Sequence, residues 1–172
     1  AMQKEFAGYD AELAAATDPS TIVHKSTSLI SYLGVPVTKD AFPYDIAQRL
    51  DSMAVGSTSK VVENKGDNTL NIIKLVSKQQ LPDSIQFRQI QVVGANADEA
   101  TKRADSIYTA LKAGADFEVI AKKYGQTGEK AWMTTRQYQS APSLDKNTQD
   151  YINSLNTMSV NELKKISLTQ GN

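Results

Sequence analysis

The sequence predicts an α+β protein: a small, largely antiparallel sheet flanked by helices, with a helical segment at the N-terminus. Apolar residues follow helical spacing over residues 4–33 and again after residue 96. Between these regions the pattern changes to short β-rich runs and to alternation. A six-residue phrase also occurs twice, roughly a hundred residues apart, which favours tandem copies of a globular module over a solenoid.

Composition limits the size of the core and the class of partner. A chain of 172 residues that is 40% hydrophobic can bury one ordinary core or two small ones. Nineteen basic residues balance nineteen acidic ones, which argues against a nucleic-acid partner. Cysteine is absent, so disulfides and thiolate chemistry are excluded. No apolar run is long enough to span a bilayer, and we expect any membrane anchor to lie outside this chain.

Three helices are predicted first. Phe6, Tyr9, Leu13 and Ala16 share one helical face, which predicts a helix over 4–16. Apolar residues from Ile22 to Leu33 predict a second helix that ends at Gly34, so residues 1–40 form a helical linker segment. A third helix is predicted over 43–53, with proline in its first turn.

A β-hairpin should follow the third helix. Residues 58–63 and 70–76 are rich in Val, Ile and Leu, and they flank the turn sequence at 65–68. Residues 41–78 are therefore predicted to form one helix-plus-hairpin segment.

The remaining elements are predicted to form a domain over 84–172. Alternation predicts a strand over 85–93 that ends at Gly94. Asn96 and Glu99 form a capping-box pattern before a helix at 97–113, and Asp116 can cap another at 116–124. A strand at 131–134, a helix at 148–157 and a strand at 166–168 complete the order.

The repeated phrase marks a register within these modules. Leu50–Val55 reads Leu-Asp-Ser-Met-Ala-Val and returns as Leu-Asn-Thr-Met-Ser-Val at 155–160. Each replacement keeps size or polarity. The phrase therefore predicts the same structural junction at both places.

The run from Lys112 to Tyr124, Lys-Ala-Gly-Ala-Asp-Phe-Glu-Val-Ile-Ala-Lys-Lys-Tyr, resembles the parvulin-type (PpiC or rotamase-like) peptidyl-prolyl isomerases. Residues 84–171 follow that family's order of elements, and 127–132 keeps one Gly and the Trp of its Gly-Gly-Asp-Leu-Gly-Trp strand. Residues 43–76 are similar to the closing third of such a domain. The resemblance implies a multi-module periplasmic foldase or chaperone of the bacterial cell envelope.

The resemblance also implies where catalytic groups should be. The family uses two facing histidines and an Asp or Cys, and the histidine positions fall here on Gln89 and Asn71. The loop at 124–127 holds neither an acid nor a thiol. This departure implies little or no catalysis of rotation about Xaa-Pro bonds. No cofactor is expected, and no metal either, because the sequence lacks a second histidine and clustered carboxylates. The two amides are either a remnant polar site or ordinary strand residues.

Because the catalytic positions depart from the family, peptide binding without efficient catalysis is the expected function. Candidate binding residues are Phe87, Trp132, Met133 and Tyr138, because aromatic and Met side chains suit adaptable apolar contacts. Core packing is the other interpretation of Phe87 and Trp132. His24, the single histidine, is expected at the surface. Unfolded or extended client polypeptides are the expected partners; an active isomerase with an altered polar site and a structural spacer are the alternatives.

One edge of the sheet is expected to be open. The sequence ends at Gln170-Gly171-Asn172, where the family's last strand would begin. This predicts a vacant strand position beside 85–93, filled by the hairpin at 58–76 or by another molecule through strand exchange or dimerisation.

Overall fold

A computed structural model describes residues 2–26 and 28–168 of the chain. Two compact units are present. The first comprises residues up to Leu81 together with Tyr138–Asp145, and the second comprises Pro82–Gln137 and the chain from Lys146 onward. The described residues contain six α-helices and two small antiparallel sheets, which confirms the α+β class.

The first unit begins with α1 (Met2–Ala15) and α2 (Ser20–Lys25). The predicted second helix is wrong beyond Lys25, because no helix continues to Leu33. Leu33 is buried, but Leu29 is 89% exposed, so the apolar residues do not share one buried face. The side-chain ammonium of Lys74 fastens the end of α1: its Nζ donates to the carbonyls of Leu13 at 2.9 Å and Ala14 at 3.2 Å, and to that of Ala16.

A short 3-10 turn (Lys39–Ala41) precedes α3 (Tyr44–Ser52), which buries Ile46 and Ala47. The hairpin strands β1 (Val62–Asn64) and β2 (Thr69–Asn71) pair in antiparallel register. Beyond them the chain pairs more loosely, through a Thr58–Lys74 bridge and flanking backbone hydrogen bonds. The predicted hairpin is therefore present, with shorter regular strands than expected.

The repeated phrase forms the same junction twice. Helix α3 ends at Ser52 and α6 (Lys146–Thr157) ends at Thr157, the third position of each copy. A turn follows in both: Ser57 N–H donates to the Ala54 carbonyl and Glu162 N–H to the Ser159 carbonyl, each at 3.0 Å. The third residue of each turn has positive φ, 86° at Gly56 and 64° at Asn161, as in type II turns.

The second unit contains α4 (Ala97–Lys112), α5 (Phe117–Lys123) and α6. Asn96 Oδ1 accepts from Glu99 N–H at 2.9 Å, as its capping-box spacing predicts. The Glu99 carboxylate accepts from Ala95 N–H, one residue earlier than in a standard capping box. This bond, together with the nearby Arg103, lowers the pKa of Glu99.

The sheet of the second unit has two strands, β3 (Ser84–Phe87) and β4 (Ala131–Thr134), followed by a 3-10 turn (Thr135–Gln137). The predicted strand at 85–93 is correct only in its first part. The strand predicted at 166–168 is absent, and residues 169–172 lie outside the described part of the chain.

The expectation that the hairpin at 58–76 pairs with this sheet is also wrong. The strands β1 and β2 pair only with each other, and β3 pairs with β4, among the residues that the structure describes. Pairing of β3 with another molecule stays a prediction.

No helix in the described ranges combines the length and apolar character needed to cross a membrane. Within those same ranges, no cluster of three or more His, Cys, Asp or Glu side chains could hold a metal ion.

Candidate functional site

The β3–β4 register decides which candidate residues share a face. Ile85 lies opposite Met133 and Phe87 lies opposite Ala131. Directly opposed residues in an antiparallel pair point to the same side of the sheet. Met133 is 9% exposed on this face and Phe87 is half-buried. Two of the four predicted peptide-binding residues, Phe87 and Met133, are therefore brought to one face.

Trp132 lies on the other face of the same sheet. It is paired with Gln86, so its indole projects away from the side that carries Phe87. The side chain is 58% exposed. This exposure does not support the core-packing interpretation of Trp132, but a short peptide bound against Phe87 would not contact it directly.

Tyr138, the fourth candidate, belongs to the first unit. It is 6% exposed, and its hydroxyl donates to the Pro36 carbonyl at 3.0 Å. Tyr138 therefore packs within that unit.

Gln89, at the first histidine position implied by the resemblance, forms a polar contact beside Phe87. Its side chain is exposed, and its Oε1 accepts a hydrogen bond from the Tyr151 hydroxyl. The Tyr151 ring meets the Phe87 ring edge to face, with centroids 6.1 Å apart and an interplanar angle of 76°. Phe87, Gln89 and Tyr151 form one amphipathic cluster, which we call the Tyr151 cluster.

Sequence reasoning missed Tyr151. It lies on α6 one turn before the buried Leu155 and next to the buried Ile152, so its spacing could have predicted an inward-facing ring. Nothing in the local sequence indicates its hydroxyl partner, which is 62 residues away. Partial burial raises the pKa of Tyr151, so the hydroxyl remains a hydrogen-bond donor throughout the neutral range.

Asn71, at the second histidine position, lies in the first unit at the end of β2. It is half-buried opposite Val62, and its Nδ2 donates to Thr69 Oγ1 at 3.3 Å. Gln89 belongs to the second unit. Each amide is thus satisfied in part by a neighbour within its own unit.

The loop at 124–127 is fixed by its backbone and by one amide side chain. It leaves α5 through a Schellman motif, in which Gly125 N–H donates to Lys122 and Gln126 N–H donates to Ala121. The Gln126 amide then pairs with the backbone of Gln91, accepting from its N–H at 2.8 Å and donating to its carbonyl at 2.6 Å. A side chain therefore replaces the neighbouring strand at Gln91.

Gly128, the glycine retained from the family's strand motif, has a packing role. It is buried with φ of 66°, and an added Cβ would lie 2.7 Å from the Cβ of Ala121 and 3.2 Å from the Phe117 ring. This glycine therefore allows the chain before β4 to approach α5 closely.

An ion pair lies next to the cluster in sequence. Arg88 contacts Glu118 at 3.0 Å, and its guanidinium carbon lies 5.8 Å from the centre of the Phe117 ring. His24 is far from this region in sequence and is exposed at the end of α2 in the first unit, as expected. The Tyr151 cluster itself offers amide and phenol hydrogen bonds beside aromatic surface, and none of its three side chains titrates near neutral pH.

Comparison with known proteins identifies a family. Residues 70–170, more than half of the chain, match the family model described as the PPIC-type PPIASE domain. Searches of curated proteins and of solved structures found no match.

Proposed function

Because this chain belongs to the family of PPIC-type peptidyl-prolyl isomerase domains, we propose that it binds unfolded client segments with little or no catalysis. The observation that carries the proposal is the chemistry at the two histidine positions, where Gln89 and Asn71 supply neutral amides. An amide donates and accepts hydrogen bonds but is neither protonated nor deprotonated near neutral pH. Family membership thus supports recognition of polypeptides, and the missing histidines argue against efficient turnover.

Replacement of the histidines by amides matters because catalysis of prolyl isomerisation must lower a high barrier. Rotation about a peptide bond has a barrier of about 18–20 kcal/mol, which an isomerase must lower by stabilising the twisted amide. In the loop where the family places an acid or a thiol, Gln126 is bonded to the Gln91 backbone. The remaining amide groups can hydrogen-bond a peptide, but they are poorly suited to stabilising the twisted amide of the transition state.

The Tyr151 cluster is the surface that we propose for client binding. Phe87 and the Tyr151 ring offer apolar contact, and Gln89 offers a hydrogen bond at their edge. An extended client segment can use both an apolar contact and a hydrogen bond, because it presents apolar side chains beside backbone polar groups.

A second candidate is an active isomerase with an altered polar set. The Tyr151–Gln89 hydrogen bond favours it, because this bond leaves the Gln89 Nε2 group able to donate to a twisted peptide carbonyl.

We further propose that the parent protein is a multi-module folding factor or chaperone of the periplasm or cell envelope. This location rests on the resemblance alone, since multi-module parvulins commonly work outside the cytoplasmic membrane. Fractionation of cells that express the full-length parent tests it. Recovery with cytoplasmic markers would contradict the proposal.

Exchange spectroscopy on a blocked peptide with one Xaa-Pro bond separates the functions. The proposal predicts protein resonance shifts on adding peptide without faster cis/trans exchange. Accelerated exchange would establish the isomerase instead. If neither effect occurs, the result favours the third alternative, a structural spacer between other modules.

Two matched variants locate the binding face. Phe87→Ala should abolish the shifts, whereas Trp132→Ala, on the opposite face of the same sheet, should preserve them. A reversed pattern would place client binding at the exposed indole.

A further inference from the structure

The position of one proton decides how the Gln89 amide faces a bound peptide. A glutamine amide has a carbonyl acceptor and an NH2 donor, and a bond to one of them fixes the orientation of the other. The Tyr151 hydroxyl donates to Oε1 of Gln89. The donor group, Nε2, is therefore directed away from the tyrosine.

That donor is available to a ligand. Gln89 is exposed, and its Nε2 makes no hydrogen bond to any residue in the described ranges 2–26 and 28–168. Phe87, two residues earlier, lies against the same tyrosine ring. A directed N–H donor therefore borders an aromatic surface that is partly open to solvent.

We propose that Tyr151 is a positioning residue that holds Gln89 so that its Nε2 donates to a main-chain carbonyl of a bound client segment. The carbonyl is that of the residue preceding proline, and the prolyl ring packs against Phe87. The ligand class is an extended segment with a carbonyl acceptor next to a compact apolar ring. This assignment rests on the proposed peptide-binding function and adds to it the group that reads the backbone.

Partial burial also keeps the Tyr151 hydroxyl protonated. Burial raises the pKa of Tyr151, so the phenol keeps its proton and can donate to Gln89 throughout the neutral range. A donating phenol leaves the glutamine carbonyl occupied and the glutamine N–H groups free. The Tyr151 hydroxyl thus selects acceptors over donors at this position through Gln89.

A conservative substitution separates donation from packing. Gln89→Glu retains an oxygen that accepts from Tyr151 and nearly retains the side-chain shape, but it removes the N–H donor. Affinity for a blocked peptide with one Xaa-Pro bond, followed by resonance shifts in a titration, should fall about 5- to 10-fold. Tyr151→Phe retains the ring and frees the amide to turn, so a fall of about threefold is expected.

Non-additivity tests whether the two residues act together. In the double variant Gln89→Ala/Tyr151→Phe, affinity should be no weaker than in Gln89→Ala alone, because the Tyr151 hydroxyl acts only through Gln89. Tyr124→Phe, which removes a hydroxyl at the end of α5, is the control and should bind as the native protein does. The Gln89 side-chain NH2 resonances should shift with peptide in the native protein and respond less in Tyr151→Phe, which a packing effect alone would not produce.

Peptide binding by the chain and the role of the Gln89–Tyr151 pair are tested by different results. If the native protein shows no response to the peptide, the peptide-binding function is wrong and this inference falls with it. If the native protein binds and Gln89→Glu binds equally well, client binding stands and the role of the Gln89–Tyr151 pair is refuted.

Discussion

Gly128→Ala should destabilise the second unit more than any comparable glycine substitution on α5 or its following loop. At φ of 66°, a residue with a Cβ costs roughly 1–2 kcal/mol in backbone strain. The added methyl carbon would also lie 2.7 Å from the Cβ of Ala121, a side chain that is 0% exposed and cannot move outward without displacing α5. Overpacking of this kind costs about 1–3 kcal/mol, so the total is about 2–5 kcal/mol.

Gly125→Ala is the matched control. Gly125 has a similar φ of 72°, but an added Cβ would meet no atom within 4 Å. Its expected loss is therefore the strain alone, roughly 1–2 kcal/mol. The difference between the two variants isolates the contact with Ala121.

Urea denaturation followed by Trp132 fluorescence measures this difference, because the single tryptophan lies on β4 in the same unit. The midpoint should fall further for Gly128→Ala than for Gly125→Ala, with an unchanged slope. Equal midpoints would refute the reasoning, since they would mean that α5 and the loop tolerate the methyl group.

Two further predictions concern stability. Lys74→Met retains the aliphatic stem but removes the ammonium that bonds three carbonyls at the end of α1, so the free energy of unfolding of the first unit should fall by about 1–2 kcal/mol in urea denaturation. Lys65→Met, in the exposed hairpin turn, is the control and should have little effect. An equal loss in both variants would refute the capping role of Lys74. Because burial raises the pKa of Tyr151, the unfolded state releases its proton first, and the free energy of unfolding should fall as pH rises above about 10. Tyr151→Phe should flatten that fall between pH 9 and 11, and an unchanged slope would contradict it.

Local signals predicted most helices well. Helices α4 and α5 begin at the expected caps, Asn96 and Asp116, because a side chain three residues before a backbone N–H is a strictly local partner. The helix predicted through Leu33 failed for the opposite reason. Its apolar spacing includes Leu29, which is 89% exposed, and spacing alone does not report which residues the tertiary fold buries.

Long-range bonds account for what the sequence did not predict. Alternation over 85–93 suggested one strand, but regular pairing ends at Phe87 and the Gln126 amide satisfies the backbone of Gln91. The Tyr151 cluster depends on a hydrogen bond between two elements far apart in the chain. Gln89 could be located by resemblance, whereas its partner required the fold.

The repeated phrase shows two different sequences that form the same helix end and turn within one chain. Leu, Met and Val occupy equivalent positions in both copies, while Asp51 and Ser52 are exchanged for Asn156 and Thr157. The residue with positive φ is Gly56 in one copy and Asn161 in the other. The third position of this turn therefore accepts either glycine or asparagine, the two residue types that most readily adopt the left-handed conformation. The junction is accordingly a natural place to graft one module's helix end onto another.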